Sequence, residues 1–431
     1  MNYIKYYLGI IVFFLLLLSD VIFLPAAHDK SVLSNSKKRK ISNNLSELNE
    51  TKKADRIFDK FFKKWEITGA AVAIIKDENL IYAKGFGYID KEQTTATEPY
   101  HLFRIASVSK LITAVAIMKL VEDNRIKLSD KVFGVQGILN DPQFLNYKDK
   151  RYEKITVEHL LRHEGGWLRK YGDPILMTLD IAKELKIKPP VDADAMIQFM
   201  HKKKIHFDPG SRSAYSNFGY VILGKIIEKK SGVSYENFVK NNILAPVGIT
   251  DMHVANILPS QKYKNEVNYY DHGDSQPVPS CLGTGELAPR CYGGIDYQTS
   301  AAAGGWTCSV VALAKFLVSI DGFPAHKDIL TKKSIQQMTD YNEKSQPMGW
   351  RKTNIFGDWT RTGSFAGTVA LVKRCMNGIS YIVVTNTGTW RGPRFYHEIE
   401  GEMQKVLGSI KTWPNQNLFE IEPIKNISKQ S

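Results

Sequence analysis

The sequence predicts an α+β protein: an antiparallel sheet flanked by helices, built from both ends of the chain, with an all-α part inserted between. Three observations carry this. Strand-like runs at residues 70–75 and 80–87 lie near the start, and others at 366–373 and 379–385 lie near the end. Between them, residues 122–250 are mainly helical in pattern. A sheet whose first and last strands are so far apart in sequence must close over whatever lies between.

Taken in order, residues 28–51 are polar and lysine-rich without apolar period, which reads as a linker. Residues 54–65 fit an amphipathic helix. Residues 70–75 and 80–87, joined by Asp77-Glu78-Asn79, fit a hairpin. A helix follows from about Ala106, with apolar residues at 111, 112, 115, 118 and 121. Residues 132–154 and 164–190 read as loops, and Gly165-Gly166-Trp167 ends the helix that holds His163. Residues 220–231 and 235–243 read as amphipathic helices. Residues 252–298 are rich in Gly, Pro, Asn and Asp and form a long excursion, the expected place for substrate selectivity. Residues 310–320 and 395–407 are the last helices. The main domain spans 52–415, with sheet-bearing parts at about 52–120 and 299–410, a helical part at about 121–298, and a tail at 416–431.

The chain has 431 residues, 43% apolar and 11% aromatic, which places it among globular proteins. Its net charge of +14 would suit nucleic acid or an anionic surface. Much of that charge is local, however: residues 28–64 hold eleven lysines and arginines against five acids. Lys37-Lys38-Arg39-Lys40 lacks interleaved aromatics and any nucleic-acid fold motif, so a solvated basic linker is expected and no nucleic-acid partner. Residues 7–18 form an apolar run behind Lys5, and apolar character resumes at 21–24. That length suits a signal peptide better than a full span, while an uncleaved membrane anchor stays open. Either way residues 1–27 direct the chain out of the cytoplasm. Four cysteines fit an exported protein. Cys281 and Cys291 bracket a Gly- and Pro-containing loop, and a disulfide closing it is expected; Cys308 and Cys375 read as buried thiols or a second bridge. The cysteine spacing matches no zinc-finger pattern, so neither metal nor cofactor is expected. Asn44, Asn49 and Asn426 head glycosylation sequons that matter only in a eukaryotic secretory pathway.

The chemistry centres on Ser107-Val108-Ser109-Lys110. Residues three apart on a helix share a face, about 4.5 Å apart along the axis, so Lys110 can reach the Ser107 hydroxyl. A hydroxyl becomes a nucleophile when a base takes its proton. A lysine can serve as that base if burial or neighbouring cations depress its pKa. The plainer reading is a helix-capping serine with a lysine one turn later. Ser109, adjacent to Lys110, points elsewhere and reads as structural. His163 reads as a capping or buried histidine.

Downstream stand Tyr215-Ser216-Asn217 and Arg361-Thr362-Gly363-Ser364. An S-x-x-K, a Y-x-N and a [K/H/R]-T-G in this order resemble the serine β-lactamase and penicillin-binding-protein superfamily. The class C-like branch is the best match; it also holds D-alanyl-D-alanine carboxypeptidases, esterases and β-lactamase-like proteases of animals. The segments 103–110, 155–163 and 300–306 agree, and the resemblance runs from about Lys52 to Leu407. It implies a β-lactamase/transpeptidase-like fold with the site in a cleft between the sheet-bearing and helical parts. It further implies that Ser107 is acylated, that Lys110 is its proton acceptor or electrostatic partner, and that Tyr215 is a general acid/base. Asn217 would hold Lys110 or the substrate amide, and the N–H groups of Ser107 and Ser364 would form the oxyanion hole.

One departure stands out. The third motif usually begins with Lys or His, and here it begins with Arg361. Arginine stays charged and forks onto carboxylates, but it cannot act as a base. The expected activity is that of a serine hydrolase acting on peptide, ester or β-lactam carbonyls, with peptidase or esterase favoured. The alternative is a slow binding or scaffold protein on the same fold. A G-x-S-x-G elbow is lacking. A small-molecule or peptide substrate is implied; oligomeric state is left open.

Overall fold

The computed structural model describes residues 40–421. The predicted leader, Lys37 to Arg39 and the Asn426 sequon lie outside them. Strands β1 (Gly69–Lys76), β2 (Asn79–Gly87) and β3 (Phe103–Arg104) come first. Then follow β4 (Met252–Val254), β5 (Val278–Pro279), β6 (Leu287–Ala288) and β7 (Trp306–Cys308). Last come β8 (Lys352–Thr353), β9 (Trp359–Phe365), β10 (Thr368–Arg374) and β11 (Ile379–Thr385).

The main sheet has the order β2-β1-β11-β10-β9-β8. Its neighbours are antiparallel throughout, and β1 meets β11 with Ala70 opposite Thr385. The two ends of the chain are thus stitched together at the sheet's centre. β1 reads as a continuous apolar run because both of its faces are covered. Val72 and Ile74 point to a layer made by helices α1 (Lys52–Lys64) and, at the chain's end, Tyr396–Ser409. Phe58, Phe61, Phe62, Phe395 and Met403 fill that layer. Ala71, Ala73 and Ile75 face the larger core, which contains helix α2 (Ser109–Glu122). The small side chains of Ala71 and Ala73 let helices approach closely.

α2 is buried all round rather than on one stripe, as befits a helix through the middle of a domain. A 3₁₀ turn, Ala106–Val108, leads into it. Ala106 sits at φ +45°, a left-handed position held by the Ser109 hydroxyl, which donates to the Ala106 carbonyl at 2.7 Å. This is the structural role expected of Ser109.

The helical part contains α3 (Val157–Leu161), α4 (Thr178–Leu185), α5 (Ala193–His201), α6 (Asn217–Ser231) and α7 (Tyr235–Val239). α6 begins three residues earlier than the apolar pattern suggests, because the Ser216 hydroxyl caps it by accepting from Gly219 N–H. The stretch 121–298, expected to be helical, also carries strands. β4 joins β3 and β7 in a small sheet, and β5 and β6 form a hairpin. Arg104 anchors this excursion beneath the Ser107 turn. Its buried guanidinium lies 4.2 Å from the ring centres of both Tyr269 and Tyr297. It donates to the carbonyls of Asn256 and Cys291 and lies 3.8 Å from Glu266.

Two further expectations are corrected. Cys281 and Cys291 are free buried thiols, as is Cys308, while the free Cys375 thiol is half-buried. The Cys281 N–H is tied to Gly293 O, and the Cys291 thiol turns to the Tyr269 carbonyl, so no bridge closes the loop. Residues 40–51 are not a free linker either. Ser46 is buried and bonds both N–H and C=O of Ala83 at 2.9 Å, and Asn43 accepts from Gly85 N–H. On the tail side, Gln416 and Asn417 bond Ile81 O and Leu80 N. Both segments cover the open edge of β2, which would otherwise invite pairing.

Replacing Arg104 by Met leaves Glu266 buried without its cation. A loss of about 3–5 kcal/mol is expected, read as a lowered thermal unfolding midpoint.

Candidate active site

Three segments distant in sequence meet in one cleft of about 910 Å³. The 3₁₀ turn before α2 presents Ser107, α2 presents Lys110, the strand-like approach to α6 presents Tyr215, and β9 presents Arg361 to Ser364. All ten residues singled out from the sequence can be placed. Ser107, Tyr215, Asn217, Arg361, Thr362, Ser364 and Cys281 line the cleft. Lys110 lies behind it, fully buried, Gly363 lies against the Ile105–Val108 turn, and Cys291 is buried.

The Ser107 hydroxyl is 2.7 Å from the Tyr215 hydroxyl and 3.3 Å from Lys110 Nζ. Tyr215 is therefore the nearer partner. Lys110 Nζ also donates to Asn217 Oδ1 at 2.7 Å and to the Ala303 carbonyl. An ammonium has three donors, and here each has an acceptor. The amide and carbonyl oxygens can only accept, so the surroundings suit the charged form. Arg361 is buried. Its Nε donates to the Ser107 carbonyl at 2.7 Å and its Nη2 to the Tyr215 hydroxyl at 3.3 Å. Its Nη1 is buried without a protein partner.

Two cations beside one phenol decide the electrostatics. Burial alone would push the Tyr215 hydroxyl up, but Lys110 and Arg361 together pull it down to about 7. Burial lowers Lys110 to about 8, helped by Arg361 and opposed by Tyr215. Near pH 7.5 phenolate and ammonium therefore coexist: below about 7 the phenolate is protonated, and above about 8 the ammonium is lost. His163 packs behind, its ring 4.6 Å from that of Tyr215, and its Nδ1 accepts from Ser216 N–H. Burial and the Lys110 and Arg361 cations hold it well below its ordinary value. It is the buried histidine expected, and its ring backs the phenol on the side away from the cleft.

β9 runs against the Ser107 turn at close range. A methyl group at Gly363 would lie 2.2 Å from the Ile105 carbonyl and 3.0 Å from the Ser107 nitrogen. Glycine there allows the strand to approach Ser107. The sequence reading missed Asp173, which accepts from Asn217 Nδ2 at 2.6 Å, and Arg169, which lies 3.1 Å from Asp173. An Asp-Pro pair in a loop reads as a turn and signals nothing more. Among the described residues no group of three or more metal-ligating side chains converges. His159 and His163 stand four apart but are engaged separately, with Thr156 and Ser216 N–H.

The fold and the paired motifs define a β-lactamase/transpeptidase-type protein. The beta-lactamase family model matches residues 54–398, and the chain belongs to that family. Among curated relatives, Protein flp of Staphylococcus aureus strain N315 is 30% identical over 227 residues, 52% of this chain and 42% of that one. Penicillin-binding protein 4* of Bacillus subtilis is 29% identical over 226 residues, 52% of this chain and 46% of that one. The chain thus spans less than half the length of these relatives. An octameric penicillin-binding protein homologue from Pyrococcus abyssi superposes with TM-score 0.62 at 28% identity, covering 84% of this chain and 79% of that one. The D-amino acid amidase of Ochrobactrum anthropi, solved with L-phenylalanine amide, superposes with TM-score 0.65 at 21% identity, covering 84% and 99%. At that identity the likeness is one of fold.

Gly363→Ala is expected to slow acylation of Ser107 about a hundredfold by displacing β9 or the Ile105–Val108 turn. Stopped-flow labelling with a reactive ester, beside a thermal melt showing an intact fold, checks it.

Proposed function

We propose that the protein is a serine hydrolase that works through an acyl-enzyme on Ser107. The observation that carries this is the Ser107 hydroxyl 2.7 Å from a phenol held near pKa 7, at the floor of an open cleft. The Tyr215 phenolate takes the Ser107 proton as Oγ bonds to the substrate carbonyl carbon. The oxygen charge that develops is met by the N–H groups of Ser107 and Ser364. Tyr215 then gives the proton to the leaving amine or alcohol as its bond to the acyl carbon breaks. Water, deprotonated by Tyr215, adds to the ester carbon, and the Tyr215 proton passes to Ser107 Oγ as its bond to the acyl carbon breaks. Lys110 keeps its proton throughout and stabilises the phenolate; Asn217 holds it in place.

The acyl donor carries a carboxylate, as peptides and β-lactams do. Arg361 supports this, because it lines the cleft and one of its guanidinium nitrogens has no protein acceptor. Its other two nitrogens serve Ser107 and Tyr215, so Arg361 binds and polarises without moving a proton. Peptides and esters are the favoured substrates, and the kinship with penicillin-binding proteins makes a penicillin a suitable probe. The apolar run at residues 7–18 supports a place outside the cytoplasm, secreted or tethered.

Intact mass after incubation with a fluorophosphonate or a penicillin tests the reading. A covalent adduct is expected on the wild type and not on Ser107→Ala; a folded wild type that stays unlabelled by both probes contradicts it.

A further inference from the structure

One buried carboxylate next to the site has no part in the chemistry above. Asp173 sits between two 3₁₀ turns, Arg169–Tyr171 and Pro174–Leu176, with its side chain 5% exposed. It occupies the N-cap position of the second turn, where an aspartate would ordinarily accept from the N–H groups of its own turn. It makes no such bond. The carboxylate is turned inward instead. Oδ2 accepts from Asn217 Nδ2 at 2.6 Å and pairs with Arg169 Nε at 3.1 Å, while Oδ1 is buried with no partner.

The chemistry of the two ends makes this informative. An ammonium can only donate and a carboxylate can only accept. The Asn217 amide lies between Lys110 and Asp173, so only one of its two orientations satisfies both neighbours. Without Asp173 the amide could turn its NH₂ group towards Lys110, where it would repel the cation and leave one donor unfilled. A serine or an alanine at 173 would allow that. We propose that Asp173 is a positioning residue, which locks the Asn217 amide with its oxygen towards Lys110 and so holds Lys110 as the cation serving Ser107 and Tyr215. The proposal rests on the acyl-enzyme reading for its effect on rate, though not for its effect on Lys110.

The charged and titratable groups facing Lys110 are Tyr215 from the α6 approach, Tyr220 from α6, its ring centre 5.4 Å from Nζ, Arg361 from β9, His163 from the segment after α3, and Asp173. Of these Asp173 and the Tyr215 phenolate favour the cation, and Arg361 opposes it. Removing Asp173 therefore makes Lys110 easier to deprotonate, and the alkaline limb of acylation moves to lower pH.

The experiment combines two readouts. The titration of Lys110 is followed by NMR of ¹³C-labelled lysine, assigned with Lys110→Met, in the wild type and in Asp173→Asn. Acylation rates against pH are measured for the wild type, Asp173→Ala, Asn217→Ala and the double variant. The Lys110 midpoint is expected to fall below its wild-type position in Asp173→Asn. Asp173→Ala is expected to slow acylation about tenfold, with little further loss when Asn217 is already alanine. An unmoved Lys110 midpoint overturns the proposal, as do wild-type rates in Asp173→Ala or full multiplication of the two effects. Should Asp173→Ala fail to fold, the near-isosteric Asp173→Asn carries the same decision through the titration. Should the wild type never acylate, the hydrolase reading falls, and the Lys110 titration still judges Asp173.

Discussion

A lysine ammonium buried out of reach of water is the constraint on which the rest of this structure depends. Burying an unpaired ion is costly enough that such a group ordinarily loses its charge. Lys110 keeps its charge at neutral pH through three acceptors and a phenol that ionises beside it. Each group makes the other possible: the cation lowers the phenol, and the phenolate supports the cation. Arg361 adds a second positive charge that cannot be lost, which tips the pair towards phenolate. In the proposed mechanism that pair supplies a base matched to neutral pH, 2.7 Å from a serine.

Holding such a pair requires rigid support, and the fold provides it from both sides. The Ser107 turn is braced below by Arg104, beside by β9 and above by Arg361, which bonds its carbonyl. Tyr215 is backed by His163 and followed directly by the capped start of α6. The central β1–β11 pairing fixes the first third of the chain against the last, so β9 can meet the turn that carries Ser107. Ser107, Tyr215, Lys110 and Arg361 are linked through the Ser107 and Tyr215 hydroxyls, and the kinship with penicillin-binding proteins does not favour the alternative of a slow binding or scaffold protein.

Much of this was legible in the residues. The spacing of Ser107 and Lys110 set their contact, and the apolar strand-like runs marked the hairpin and the last two strands of the sheet. β9 was harder, because Trp359-Thr-Arg-Thr-Gly-Ser-Phe365 alternates buried and half-buried positions but carries arginine and threonines where a strand usually shows valine or isoleucine. Composition misread residues 40–51: Asn43 and Ser46 look like linker residues, yet they spend their polar groups on the backbone of β2. Cys281 and Cys291 show that bracketing a loop does not set the geometry a disulfide needs. Asp173 was hidden for a related reason, since what it bonds is decided by which way one side chain turns.

The central claim is that Tyr215 is a phenolate at neutral pH. Ultraviolet difference titration of the wild type against Tyr215→Phe isolates its ionisation from that of the other tyrosines. A phenolate band appearing with a midpoint near 7 is the predicted result. A midpoint at or above the ordinary phenol value of 10.0 would show a neutral Tyr215 and contradict the account.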